Sequence, residues 1–363
     1  MSNVWQAKSM VQRASEALTV SPLEALMYLV ISLVLSLVFV ALLGLGLVYL
    51  ERKIAAHFQC RLGPMRVGWH GILQTLADGL KLLLKEDHIP AGADRFLHIV
   101  APVLCMLGTL LAIAVLPLSP VVQVADLSIG VLYIAAVSGF GVLGILLGGW
   151  SSNNKWSLLG AMRAGAQIIS YELSATLALL VVVVFSGTMR LSAIVESQAA
   201  GWWIWRAHGI GLVAFVIFLI ASTAEINRTP FDLAEGESEL TGGFHTEYSG
   251  MRWAVFFLSE FINMFIISAM AATLFLGGWM PLHIGAGQNV FNSVMDMVPT
   301  WVWFAGKSGF IIFLLMWFRW TFPRLRVDQL MRLEWKFLLP IGFVNLFAAA
   351  AAVLTGFYFF PGG

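Results

Sequence analysis

The stretch EALMYLVISLVLSLVFVALLGLGLVYL, residues 24–50, carries a single charged residue, at its first position. A helix rises about 1.5 Å per residue, so roughly 20 apolar residues cross a hydrocarbon layer about 30 Å thick. The stretch is longer than that and lacks a small-residue cleavage site, which favours a permanent anchor over a removable signal peptide. It therefore predicts a chain that folds within a membrane.

Seven further apolar runs follow the first. The eight runs lie at about 24–50, 96–118, 130–150, 166–187, 209–224, 253–279, 299–320 and 337–358. We therefore predict an all-α polytopic membrane protein with one membrane domain, 24–358, of eight transmembrane helices. The N-terminal segment 1–23 and the C-terminus 359–363 are expected to flank this domain on the outward side.

Composition supports this fold class and excludes several functions. The chain has 363 residues, of which 59% are apolar and 11% are charged, whereas a soluble domain has about 25% charged residues. The net charge of +1, with no basic stripe, argues against nucleic acid as a partner. Cys60 and Cys105 are expected at different depths, without a disulfide, and two cysteines cannot bind a four-thiolate iron–sulfur cluster. We predict no metal site, and no phosphate-binding glycine loop or dinucleotide fingerprint is present.

The distribution of basic residues predicts the orientation. Most of the 21 Lys and Arg residues follow the odd-numbered helices, in the connections 51–95, 151–165, 225–252 and 321–336. By the positive-inside rule these connections face the cytoplasm and both termini face outward.

An amphipathic helix is predicted between the first two crossings. Its apolar residues share one helical face, opposite Gln74, Asp78, Lys81 and Lys85; they are Ile72, Leu73, Leu76, Leu80, Leu83 and Leu84. Such a helix can lie in the membrane interface and border an apolar cavity. From spacing alone, a helix packed on its neighbours is an equal alternative.

The connection after the fifth run is rich in acids. It reads AEINRTPFDLAEGESELTGGFHTEYSG, residues 224–250, and we call it the acidic segment. Its six carboxylates are Glu225, Asp232, Glu235, Glu237, Glu239 and Glu247. Crowded acids beside hydrocarbon repel one another and lose water, which is costly. The segment therefore favours a role in handling protons over that of an ordinary loop.

Acids near the ends of other runs extend this pattern. Glu51, Glu172, Glu225 and Glu260 can form a chain of carboxylates that reaches into the bilayer, although a solvated helix end is the alternative for each terminal acid. Glu260 and Lys307 fall well inside their runs, where ionisable groups usually line a polar path or pair together. The arginines after the seventh run fit either a positive-inside anchor or a lid that faces the acidic segment.

Three stretches resemble one known family. They are ERKIAAHFQCRLGPMRVGWHGILQTLADGLKLLLKE (51–86), AEINRTPFDLAEGESEL (224–240) and FPRLRVDQLMRLEWK (322–336). They resemble the membrane subunit that joins the two arms of respiratory complex I, the proton-translocating NADH:quinone oxidoreductase. In bacteria this family is that of the H subunit, which is similar to subunit 1 of the mitochondrial complex.

The resemblance implies a function and a set of site residues. With a peripheral subunit, such a chain encloses a quinone chamber whose entrance is framed by the amphipathic helix and the ends of helices one, six and seven. The residues expected to line the chamber are Arg52, Arg61, Asp78, Lys81, Arg319, Arg324 and Arg326. Those matching an acidic funnel toward the membrane arm are Glu51, Glu172, Glu225, Arg228, Asp232, Glu235, Glu237, Glu247 and Glu260.

The resemblance also implies partners and a location. Quinone is the substrate, with ubiquinone expected and menaquinone left open. FMN and the iron–sulfur clusters are expected in partner subunits, so that this chain alone performs no redox catalysis. The other partners implied are the peripheral subunits at the quinone site, the adjacent membrane-arm subunits and lipid, in a bacterial inner membrane with both termini periplasmic.

Two other functions stay open at this point. One is the related membrane subunit of an energy-converting hydrogenase complex, which reduces protons instead of quinone. The other is a stand-alone ion-coupled transporter. The complete amphipathic helix and acidic segment favour a quinone-using subunit, and the lack of inverted repeats argues against a transporter.

Overall fold

The computed structural model describes residues 9–18, 21–120, 122–199, 201–205, 209–233, 242–283 and 290–356, and its regular elements there are helices. In chain order these are α1 (Met10–Leu18), α2 (Pro22–Phe58), α3 (Gln74–Leu84), α4 (Arg95–Val115), α5 (Gly130–Ser151), α6 (Lys155–Ser186), α7 (Leu191–Ser197), α8 (Ile210–Glu225), α9 (Gly250–Phe275), α10 (Val290–Met295), α11 (Thr300–Thr321), α12 (Val327–Leu333) and α13 (Leu339–Thr355). Short 3₁₀ turns occur at Trp69–Gly71 and Gly243–His245.

The predicted fold class is confirmed. Seven helical stretches are long and apolar enough to cross a membrane, and they correspond to seven of the eight predicted runs. The remaining run is α8, a shorter apolar helix of 16 residues. At about 1.5 Å per residue it extends roughly 24 Å, less than a full hydrocarbon layer. Its last residue, Glu225, is therefore carried into the protein at the helix end.

Two crossing helices begin earlier than the apolar runs predict. The fourth crossing, α6, starts at Lys155 rather than at 166, after Asn154, whose side chain accepts a hydrogen bond from the Trp156 amide. Most of the predicted connection 151–165 is therefore helical. The hydropathy pattern misses these first turns because they include Lys155 and Arg163. Polar residues at the end of a membrane helix end the apolar signal without ending the helix.

The eighth crossing begins at Val327 rather than at 337. Between α12 and α13 the chain forms a π-helical turn, Glu334–Leu338, so the helix is continuous from Val327 to Thr355. This turn lies just before Pro340, whose ring excludes a normal helical hydrogen bond to the preceding turn. The predicted connection 321–336 is thus largely helix.

Helices α6 and α9 are the most buried crossings. Tyr171 of α6, Phe261 and Phe275 of α9, and Ile311 of α11 are fully buried aromatic and aliphatic side chains in one apolar core. By contrast, most of α2 is exposed, with large apolar residues on all sides of its N-terminal half. The structure therefore separates a packed interior from an apolar helix that is largely exposed on the surface of the bundle.

Close packing of α4 on α5 depends on one glycine. A Cβ atom at Gly144 would lie 2.3 Å from Cys105 Sγ and 2.8 Å from the Ala101 carbonyl oxygen. Small residues allow membrane helices to approach closely, and here the missing side chain is required. Cys105 is buried and Cys60 is exposed, and both are free thiols.

The amphipathic helix exists and exposes its apolar face. Leu76, Leu80 and Leu83 of α3 are about half exposed, whereas Thr75 faces the protein and is buried. Helix α3 contacts α2 and α9 through its other side. Of the two alternatives left by the sequence, this arrangement favours a helix in the membrane interface, because a helix packed through its leucines would bury them.

Lys307 has packing partners at the end of the bundle opposite α3. Its ammonium donates hydrogen bonds to the carbonyl oxygens of Gly278, at 3.0 Å, and Met280, at 2.6 Å. The same ammonium lies 4.5 Å from the centre of the Trp202 ring. These contacts satisfy a buried cation and join α11 to the chain that follows α9, so the depth of Lys307 in its run has a structural explanation.

We expect Lys307→Met to destabilise the fold, because it leaves two buried carbonyl groups without their donor. The expected loss is about 1–3 kcal/mol in the free energy of unfolding, measured as a lower aggregation temperature in detergent. Lys336→Met is the control, since Lys336 is exposed. An unchanged aggregation temperature for Lys307→Met would contradict the packing role.

Candidate functional site

Four charged side chains meet where several helices end. Arg228, just after α8, places Nη1 3.2 Å from Glu51 Oε1 and 3.4 Å from Oε2. Arg319 of α11 donates a hydrogen bond to Glu51 Oε1. Arg228 Nη2 lies 3.9 Å from Glu260 Oε2 on α9. We call Glu51, Arg228, Glu260 and Arg319 the ionic cluster; it joins residues that are far apart in the sequence.

The ionic cluster is largely removed from solvent. Glu51 and Arg228 are each 7% exposed. Burying a charge costs several kcal/mol unless opposite charges and hydrogen bonds compensate for it. Two carboxylates and two guanidinium groups give this compensation, and the Arg228 guanidinium also lies 4.4 Å from the centre of the Phe261 ring. The cluster is therefore balanced in charge and tied to the apolar core.

A cavity of about 570 Å³ opens beside the ionic cluster, and we call it the large cavity. It has an apolar wall and a group of basic side chains close to Glu51. Its lining consists of Val48, Glu51, Arg52, Ala55, Arg61, Leu62, Gly63, Pro64, Phe257, Phe261, Arg319 and Trp320. Sites for organic ligands typically combine an apolar body with a few convergent polar groups. The large cavity therefore suits a molecule with an apolar body and a hydrogen-bonding head.

The amphipathic helix is attached to the rim of the large cavity. Arg52 at the end of α2 forms an ion pair with Asp78 of α3. Asp78 also accepts a hydrogen bond from Gln74, at 3.3 Å, and lies 4.0 Å from the Lys81 ammonium. The exposed apolar face of α3 is thereby held next to the cavity that Arg52 lines.

A second, smaller cavity of about 100 Å³ lies among α4, α5, α6, α8 and α9, and we call it the small cavity. Glu172 of α6 and Glu225 of α8 both line it, together with Asn263 of α9. Ser138 Oγ of α5 donates a hydrogen bond of 3.0 Å to Glu172 Oε1. A space of this size holds a few water molecules beside its polar groups. Most of its wall is apolar, and Ser138, Glu172, Glu225 and Asn263 give it a polar part inside the bundle.

The predicted site residues thus divide into groups. Glu51, Arg228, Glu260 and Arg319 form the ionic cluster, Arg52 and Arg61 line the large cavity with it, and Glu172 and Glu225 share the small cavity. Asp78 and Lys81 lie on α3 next to Arg52. Arg324 and Arg326 lie between α11 and α12, outside the lining of the large cavity, and Asp232 is half-buried next to Phe231. Glu235 and Glu237, with Glu239, lie outside the described residues.

Glu247 belongs to a separate polar contact between α6 and the end of the acidic segment. Its Oε1 accepts a 2.6 Å hydrogen bond from Asn154 Nδ2. The neighbouring Tyr248 stacks on the His98 ring, with 3.9 Å between ring centres, and its hydroxyl is 3.3 Å from Ser151 Oγ. Burial raises the pKa of the Tyr248 hydroxyl to about 12, so it stays protonated at neutral pH. This contact anchors the segment rather than lining either cavity.

Two buried polar residues were missed by the sequence analysis. Glu334, in the π-helical turn, is fully buried and accepts a 2.5 Å hydrogen bond from Ser174 Oγ on α6. Its Oε2 has no hydrogen-bond partner among the described residues. Gln167 of α6 is also buried, and its amide nitrogen contacts three acceptors of the acidic segment. Helical periodicity continued through 327–338 would have turned Glu334 inward, whereas Gln167 leaves no recognisable signal in the sequence.

Comparison with known proteins identifies the family of this chain. Residues 31–350 match the NADH dehydrogenase family. The chain is 56% identical to the H subunit of NADH-quinone oxidoreductase from Bacteroides fragilis over 319 residues, which are 88% of this chain and 89% of the relative. It is 49% identical to the corresponding H subunit from Geobacillus over 302 residues, 83% of this chain and 86% of the relative.

A third relative extends the same pattern. The chain is 46% identical to an NADH-quinone oxidoreductase H subunit, the one numbered 1, from Geobacter sulfurreducens over 336 residues, which cover 87% of this chain and 92% of the relative. The family match over residues 31–350 spans both cavities and the ionic cluster. The chain therefore belongs to the NADH dehydrogenase family, as a membrane subunit of the NADH-quinone oxidoreductase complex.

Proposed function

We propose that this chain forms the quinone chamber together with a peripheral subunit and couples quinone reduction to proton translocation through its buried carboxylates. One observation carries the proposal. Arg228 binds Glu51, which lines the large cavity, and lies three residues after Glu225, which lines the small cavity. A change of charge in the large cavity is therefore felt next to the acids of the small one.

The large cavity supports quinone as the substrate. A quinone has an apolar tail and a ring with two carbonyl oxygens, and the lining pairs Phe257, Phe261 and Trp320 with basic groups. The exposed leucines of α3 offer a path from the lipid to the cavity rim. NADH, FMN and the iron–sulfur clusters belong to partner subunits in this proposal, and electrons arrive from the peripheral subunit that closes the chamber.

The reaction at the chamber changes the charge near the ionic cluster. Reduction of quinone to quinol takes up two electrons and two protons, so negative charge develops on the ring oxygens before the protons arrive. Arg52 and Arg319 stabilise that charge, and the hydrogen bond from Arg319 to Glu51 becomes weaker as a result. The Arg228 guanidinium then changes the relative strength of its ion pairs with Glu51 and Glu260. Interacting acids of this kind titrate as a coupled set.

The small cavity transmits this change toward the membrane arm. Movement of Arg228 shifts the chain that begins at Glu225, and Glu225 shares its cavity with Glu172. Proton exchange between these acids and internal water passes the signal to adjacent membrane subunits. The multi-pass chain resides in the bacterial inner membrane. By the positive-inside rule, the basic connections support a cytoplasmic position for the end that carries the large cavity and a periplasmic position for both termini.

The relatives favour this function over the two alternatives. They are named as subunits of NADH-quinone oxidoreductase, which supports a quinone-using complex over an energy-converting hydrogenase. The transport of an ion by a stand-alone protein would not explain why α3, with its exposed apolar face, is attached to the rim of the large cavity.

We expect Glu225→Gln to lower quinone-dependent NADH oxidation and proton uptake together by about tenfold or more, because the amide keeps the shape but cannot carry a proton. Both rates are measured in membrane vesicles and normalised to the NADH:ferricyanide activity of the assembled complex. Glu196→Gln, at an exposed position of α7, is the matched control. Wild-type values of both rates for Glu225→Gln would remove this acid from the relay.

We expect Ala55→Phe to obstruct the large cavity, because Ala55 is a buried lining residue with a small side chain. The KM for a short-chain quinone should rise by about tenfold, equivalent to about 1.4 kcal/mol of binding. Ala41→Phe, an exposed position on the same helix, is the control and should leave the KM unchanged. If the two variants bind quinone equally well, the quinone site lies elsewhere.

A further inference from the structure

Gln167 holds the chain that links the two cavities. Its Nε2 donates hydrogen bonds of 2.7 Å to the Ala224 carbonyl and 2.7 Å to the Phe231 carbonyl, and lies 3.2 Å from Asn227 Oδ1. We propose that Gln167 is a positioning residue for coupling, which keeps Glu225 at the small cavity and Arg228 within the ionic cluster. This inference rests on the proposed function, since it concerns the same relay.

The hydrogen bonds bracket the functional residues. An amide group has two hydrogens, and here each is directed at one backbone carbonyl, one before Glu225 and one after Arg228. Gln167 is 1% exposed, so water does not replace these bonds. A single side chain of α6 therefore fixes both ends of the stretch 225–230.

The stretch turns sharply after α8 and is also held at its far end. Asn227 adopts a left-handed backbone conformation with φ of 51°, which turns the chain sharply after α8. Beyond it, the Leu325 amide donates to the Pro230 carbonyl at 3.0 Å, and the Tyr171 ring lies 5.6 Å from the Phe231 ring. Without Gln167, the turn that carries Arg228 stays joined to α8 and keeps these contacts, but it loses the hydrogen bonds that tie both of its ends to α6.

Gln167 acts through other residues rather than on quinone. It lines neither cavity, whereas its neighbours Ile168 and Glu172 line the small one. Arg228 is bound to Glu51 at 3.2 Å, a distance that a shift of the chain by about 1 Å would break. By fixing the chain, Gln167 thus keeps Arg228 of the ionic cluster and Glu225 of the small cavity at a constant position relative to each other.

Gln198 is a matched comparison at the opposite end of the bundle. It is 2% exposed, and its Nε2 donates to the carbonyls of Thr273, at 2.9 Å, and Ile194, at 3.3 Å. It has the same chemistry and burial as Gln167, but its hydrogen-bond partners among the described residues belong neither to the ionic cluster nor to either cavity lining. Replacing it tests the general cost of losing a buried amide.

The experiment compares Gln167→Met, Gln198→Met and Glu225→Gln in the complete complex in membrane vesicles. Assembly is measured by NADH:ferricyanide activity, and kcat, KM for a short-chain quinone and protons moved per electron are then determined per assembled complex. For Gln167→Met we expect kcat to fall about five- to thirtyfold, with KM within about twofold and fewer protons per electron, because small misplacements of reacting groups are costly. Gln198→Met should keep all three values.

Each result supports or overturns the inference. The inference is overturned if kcat is unchanged for Gln167→Met, or if Gln167→Met and Gln198→Met lose the same amount of kcat. If Glu225→Gln is still defective in that case, the proposed function stays in place. A normal Glu225→Gln counts against the relay itself. If the complex with Gln167→Met does not assemble, Gln167→Glu takes its place, because glutamate keeps the side-chain length and, when protonated, one hydrogen-bond donor. A measurable kcat for Gln167→Glu that is below the wild-type value supports the inference. Wild-type kcat, or failure of both variants to assemble, overturns it.

Discussion

The buried guanidinium of Arg228 is the constraint around which the half of the bundle next to α3 is built. A cation with 7% exposure must have negative partners and hydrogen bonds, because its desolvation costs several kcal/mol. Glu51 and Glu260 come from two helices to meet it, and Arg319 from a third helix completes the charge balance. Packing of these three helices brings together the groups that neutralise this charge.

In the proposed function this constraint also links the two cavities. The ionic cluster forms part of the wall of the large cavity, and the short chain from Glu225 to Arg228 leads to the small one. Electrostatic interactions are stronger where water is excluded, which supports the proposal that a change of charge at one cavity acts on the acids of the other. The proposed part of Gln167 is to hold this short chain in place.

Burial alone does not identify which ionisable groups are functional. Lys307, Arg228 and Glu334 are all buried, yet their surroundings differ. Lys307 is satisfied by two backbone carbonyls at the end of the bundle opposite α3, as a packing residue would be. Arg228 is bound by two carboxylates beside a cavity. The neighbours of a charged group, and not its depth alone, therefore separate the residue used in the proposed function from the packing residue.

Much of this organisation could be read from the sequence. The apolar runs predict where helices cross the membrane, the leucine spacing predicts the amphipathic helix, and the acids of 224–250 mark the segment on which the proposed function draws. The starts of α6 and of the last crossing were missed because polar residues at helix ends hide helical structure from hydropathy. Only the tertiary structure decided which acids meet, because Glu51, Arg228 and Arg319 come together through packing of distant helices. The bracketing role of Gln167 was decided there as well, since its acceptors are backbone carbonyls, which no sequence pattern distinguishes.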